Sequence, residues 1–142
     1  MIRRSVWVLA LGLCAWAAGS ARADDKANLQ GAWLIEKGVE DGVEMTAKDR
    51  EKLKVEFKGD KILLHEDKMV ETDGFRLDAG KSPKAIDVIP EKKDEKPLLG
   101  IYQLEGDILK LCFSHQGQKR PGEFASTKEL GTLLLYLKRA NK

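Results

Sequence analysis

The sequence is poor in the residues that carry chemistry. It holds two cysteines and two histidines in 142 residues. His65 and His115 lie far apart along the chain, and only Glu66-Asp67 stands at ligand spacing beside a histidine, so no metal-binding pattern forms. No Gly-x-Ser-x-Gly elbow, glycine-rich phosphate loop or His-Glu-x-x-His motif occurs. The expectation is a protein that is not an enzyme, with no catalytic residue and no cofactor. Aromatic residues make up only 6% of the chain, so a core must be built chiefly from Leu, Ile and Val. Long apolar runs are missing too. A membrane-spanning helix needs roughly 20 apolar residues, and the longest run, Val6 to Ala18, falls short of that.

That run belongs instead to a secretory leader. Arg3 and Arg4 precede it, and Ala21-Arg22-Ala23 follows as a small-x-small cleavage site. Residues 1–23 read as a signal peptide cut after Ala23, and residues 24–142 as one exported domain. The residues around Arg3-Arg4 add nothing to a twin-arginine reading. Cys14 does not mark a lipoprotein, because Leu13 is bulky and Cys14 lies inside the apolar run. The expected location is the periplasm or the exterior, with no stable membrane anchor after cleavage. The chain has 25 basic and 23 acidic residues. Arg3, Arg4 and Arg22 belong to the leader, so the exported part is close to neutral. No basic excess remains to argue for a nucleic-acid partner. Only Cys112 outlasts cleavage, which excludes a disulfide within the domain. It lies in an apolar stretch with no adjacent histidine or basic residue, as a small buried hydrophobe does.

What is present is a series of short strands. Leu98 to Phe113 reads as two apolar runs broken at Glu105-Gly106-Asp107, the pattern of a tight hairpin. Trp33 opens a first strand after Gly31. Thr46 can cap a short charged helix, with Asp49 at its third position, running to about Leu53. Leu53 to Phe57 alternates with period two, turns at Gly59-Asp60, and returns over Ile62 to His65. Met69 to Leu77 is a fourth strand, with a bulge or bend expected at Gly74. Lys84 to Ile89 is a fifth, ended by Pro90. The hairpin supplies the sixth and seventh, and Leu133 to Lys138 the eighth. Glu91 to Lys96 is a charged loop, and Ser114 to Gly122 a polar one closing on Arg120-Pro121. Eight short sequential strands without long crossovers predict an all-β fold: a small antiparallel eight-stranded meander barrel with one short helix.

The same residues resemble a known family. Leu29-Gln30-Gly31-Ala32-Trp33, Phe57-Lys58-Gly59-Asp60, Pro83-Lys84-Ala85-Ile86-Asp87 and Leu99-Gly100-Ile101-Tyr102 carry the likeness. So do Gly106-Asp107, Leu109-Lys110-Leu111-Cys112-Phe113, and Arg120-Pro121 with Phe124. Together they are similar to the lipocalin-like domain family abundant in planctomycete bacteria, over nearly all of residues 24–142. Gly31-x-Trp33 with Lys138-Arg139 at the last strand also resembles the wider lipocalin pattern, in which a terminal basic side chain packs over the tryptophan. The resemblance implies a small lipocalin-like barrel. It brings no catalytic residue.

Two roles fit such a barrel. One is a binding module holding a small apolar ligand, lined by Trp33, Phe57, Phe75, Tyr102 and Phe113. The other is a solid barrel that meets another protein of the cell envelope. A single charge stands out. Asp87 lies within an apolar strand. If Ile86 and Val88 face inward it faces water, and in the opposite register it would form a buried ion pair, with Arg120 or Arg76 as partner.

Overall fold

The computed structural model describes residues 25–140. The leader expected at residues 1–23 lies outside them. A helical turn at residues 25–29 leads into β1 (Gly31–Glu40) and the two-residue β2 (Val43–Glu44). A helix over Ala47–Glu51 follows. Then come β3 (Leu53–Lys58), β4 (Lys61–Glu66), β5 (Met69–Asp78) and β6 (Ala85–Ile89). The chain continues through β7 (Leu98–Glu105), β8 (Ile108–Ser114) and β9 (Thr132–Arg139). Each strand pairs antiparallel with its neighbour, and β9 returns to pair with β1. The eight long strands thus close a barrel, and β2 only extends β1 at Val39 and Glu40. Among the described residues no helix is long and apolar enough to cross a membrane.

Local sequence sets the corners. The β3–β4 and β7–β8 hairpins each turn on Gly-Asp, with Gly59 at φ 63° and Gly106 at φ 60°. Glycine at the first central position with positive φ is the II′ turn, whose twist suits antiparallel strands. Thr46 caps the helix, its Oγ1 accepting from the Asp49 N–H at 3.1 Å. That helix ends at Glu51, before the expected Leu53, because Leu53 opens β3 and packs into the barrel.

Period two then assigns the faces. Val55 and Phe57, Phe75, Ile86 and Val88, Leu109, Leu111 and Phe113, and Leu135 and Leu137 all point into one core. The expected irregularity at Gly74 does not appear as a bulge, since β5 keeps register through it. There β5 passes from pairing with β4 to pairing with β6. The register shift lies in β1 instead, between Ile35 and Lys37. It inverts the face of every later residue of β1. Ile35 opposes Leu137, and beyond the shift Gly38 and Glu40 oppose Leu135 and Leu133, so they too face the lumen. Lys37 and Val39 turn outward.

Ile101, Cys112 and Leu134 form a second apolar cluster on the outer face, with Val39, Phe124 and Tyr136 packed against it. The segment joining β8 to β9 therefore lies over the wall that β7, β8 and β9 build.

Candidate functional site

The barrel has a packed end and an open end. At the packed end Trp33 is fully buried, and its Nε1–H donates to the Leu29 carbonyl at 2.8 Å. Leu29 is buried beside it, so the helical turn that holds Leu29 plugs the barrel. The Arg139 guanidinium lies 4.3 Å from the Trp33 ring centroid, a cation–π distance. It also donates to the carbonyls of Asn28 at 2.7 Å and Gln30 at 3.1 Å, and to Asp107 Oδ1 at 2.9 Å. One side chain thereby ties the last strand, the entry turn and the β7–β8 hairpin together.

A buried polar knot completes this end. Asp25 Oδ2 accepts from the Tyr102 hydroxyl at 2.6 Å and from Lys84 Nζ at 2.9 Å. Burial, then the bond to Asp25 and its negative charge, push the Tyr102 phenol well above its ordinary value. Tyr102 therefore stays protonated and acts as a donor.

Above the packed end the lumen opens into a cavity of 360 Å³, near the lower limit of the roughly 300–1,000 Å³ typical of small-molecule sites. Its floor is Val55, Val88, Phe113 and Leu135. Its wall includes Leu64, Leu98 and Leu133, with Met45 reaching in from the segment before the helix. Leu64 points inward yet is 37% exposed, so the wall is reached by solvent from the mouth. The polar lining is Glu40, Glu66, Glu71 and Asp73.

The five aromatic residues expected to line a ligand divide between the two halves. Trp33, Phe57, Phe75 and Tyr102 fill the packed end, where Phe57 and Phe75 meet edge to face at 5.0 Å. Phe113 reaches the cavity. It does so because Gly100 leaves room for its ring: a Cβ on Gly100 would stand 2.4 Å from Phe113 Cδ1.

Asp87 takes a third course. Ile86 and Val88 face inward, so Asp87 is on the outer face. It does not face open water there. Arg120 Nη1 lies 2.7 Å from Asp87 Oδ1, and Arg76 Nη2 lies 3.0 Å from Oδ2. Arg120 also donates to the Gly100 carbonyl at 2.8 Å. The cluster pins the β8–β9 segment against β6 and β7, outside the cavity. The histidines are apart as well. His65 pairs with Glu56 on the outer face of β3 and β4, and His115 pairs with Asp41, each at 3.0 Å. Glu40, Asp41 and His115 are close enough to share a cation, but all three are exposed.

The acidic lining was within reach of the sequence. Glu71 and Asp73 share parity with Phe75 and Leu77, and Glu66 shares it with Ile62 and Leu64. Alternation alone therefore sends these carboxylates inward. Glu40 was not within reach, because the β1 register shift inverts its face. No protein-family model, no curated protein and no solved structure matches this chain.

Proposed function

We propose that the protein is a binding module that holds a small apolar molecule in the open half of its barrel. The carrying observation is the 360 Å³ cavity with an apolar floor, open at one end and sealed at the other. A barrel of eight strands is just wide enough for its side chains to fill. Here Trp33, Phe57, Phe75 and Tyr102 fill the closed half, and Phe113 with aliphatic side chains leaves space above. In this reading the molecule is exported through its leader, performs no catalytic step, and is a lipocalin-like carrier. Arg139 over Trp33 supports that kinship.

Native mass spectrometry of the protein purified from an exporting host tests the reading. The expected result is a reproducible excess mass that disappears on denaturation, and that the variant Leu64→Trp, which fills the cavity wall, no longer carries. A bare mass, with no thermal shift from neutral, anionic or cationic amphiphiles, overturns it. The barrel is then a scaffold, and its outer faces become the place to seek an envelope partner.

A further inference from the structure

The sign of the charge inside the mouth narrows the ligand class. The cavity has an apolar floor, and all four charged residues on its wall are carboxylates: Glu40, Glu66, Glu71 and Asp73. Three of them come from adjacent strands. Glu66 ends β4, and Glu71 and Asp73 belong to the inward face of β5. Among the described residues no lysine or arginine lines the cavity. Among the described residues, none of the four carboxylates forms an ion pair. Asp73 accepts only a backbone N–H, that of Glu91, at 3.3 Å. Outside the cavity, Glu66, Glu71 and Asp73 also border a groove that holds Lys92 with Glu91 and Glu95, and Glu66 borders another with Lys68.

This pattern is not the solvated charge of an ordinary surface. What sets it apart is place: these carboxylates stand around an apolar cavity floor of Val55, Val88, Phe113 and Leu135. Acidic side chains above an apolar floor favour an occupant with a hydrocarbon part and a positive head. An anionic head would meet repulsion from the carboxylates around the mouth, screened by the water that reaches them. The geometry points to a cationic amphiphile, such as an alkyl-ammonium compound, seated with its chain on Phe113 and Leu135 and its head among Glu66, Glu71 and Asp73. This inference rests on the binding reading above and deepens it.

Three probes of one chain length separate the outcomes: decyltrimethylammonium, decanol and decanoate. They are titrated calorimetrically into the protein at pH 8, below micelle formation. The expected order is cation, then neutral, then anion, with the cation bound roughly tenfold or more tighter than the anion at low salt. That ratio should shrink at 0.5 M salt as screening sets in, and fall below about threefold in the double variant Glu66→Gln with Glu71→Gln. Both side chains are exposed, so the variant should keep the parent's melting temperature. Leu64→Trp should weaken all three probes. If cation and anion bind the parent equally, the charge inference fails and the binding reading stands. If the ratio survives the double variant, these carboxylates do not set it and the assignment fails. If none of the three binds, the binding reading fails and takes the inference with it.

Discussion

Replacing Tyr102 by Phe should bring the stability curves of variant and parent together at high pH. Tyr102 is 1% exposed, and its hydroxyl is held 2.6 Å from Asp25 Oδ2. Burial first, then the bond to Asp25, raises its pKa in the folded state. In the unfolded chain a tyrosine titrates near its ordinary value of about 10. Above that pH the unfolded chain releases a proton that the folded chain keeps. The unfolded state then binds fewer protons, so stability falls as pH rises. The contribution is whole below about pH 10 and is lost as pH climbs towards the folded value. One unmatched proton corresponds to a slope of about 1.4 kcal/mol per pH unit, and the loss accumulated from Tyr102 by pH 11 is about 1.4 kcal/mol.

At pH 8 the variant should be less stable than the parent. A hydrogen bond to a charged group contributes roughly 1.5–3 kcal/mol. The lower half of that range applies here, since Lys84 remains beside Asp25 at 2.9 Å. The deficit of about 1.5–2 kcal/mol at pH 8 should therefore nearly vanish at pH 11. Urea titrations at the two pH values measure it, followed by the fluorescence of Trp33, the only tryptophan in residues 24–142. Cys112, also raised by burial, steepens the alkaline limb of both proteins alike and cancels in the difference. A deficit that stays constant from pH 8 to pH 11 would refute the reasoning, because Tyr102 would then not be the group that retains its proton.

Three further outcomes follow from other contacts. Arg139→Met keeps the aliphatic stem but leaves the Asn28 and Gln30 carbonyls without their donor and removes the cation from Trp33. It should cost about 2–3 kcal/mol, lower Tm by roughly 10 °C, and shift Trp33 emission to the red. Arg120→Ala cuts the ties to Asp87 and the Gly100 carbonyl, and should loosen the segment that covers Cys112. Labelling of Cys112 by a thiol reagent should then quicken roughly tenfold, while the Trp33 signal stays put. Gly100→Ala sets a Cβ 2.7 Å from the Cys112 carbonyl and 2.4 Å from the Phe113 ring. It should destabilise by about 1–3 kcal/mol in urea and push Phe113 towards the cavity.

The strands were legible because one face of each is buried and alternation records it. The Gly-Asp turns and the Thr46 cap were legible because each is a local solution to a local need. The β1 register shift left no such mark. Nothing in Leu34-Ile35-Glu36-Lys37 announces that the strand takes an extra residue, and the lack of a cation in the mouth depends on it. Without the shift Lys37 would face inward and Glu40 outward. The covering of Cys112 had a signal, since Ile101, Cys112 and Leu134 are apolar on the face that a half-buried strand would leave polar. Alternation alone offers two readings of Asp87, buried pair or solvent-facing charge. They fail to exclude each other once a loop covers the outer face, because a residue can point away from the lumen and still be enclosed.

Dense packing and open space are divided along the barrel axis, and the division follows from where burial is affordable. At the packed end every polar group named has a partner: Trp33 with Leu29, Tyr102 and Lys84 with Asp25, Arg139 with two carbonyls. That end can be dry. The open end cannot, because closing it would take Glu66, Glu71 and Asp73 out of water with no basic side chain among the described residues of the lining to meet them. Desolvating an unpaired carboxylate costs several kcal/mol even after relaxation, more than a few aliphatic contacts return. Charge thus opposes collapse of the mouth. An occupant that brings its own positive charge would remove that obstacle, and the same carboxylates that prevent collapse would then retain the guest.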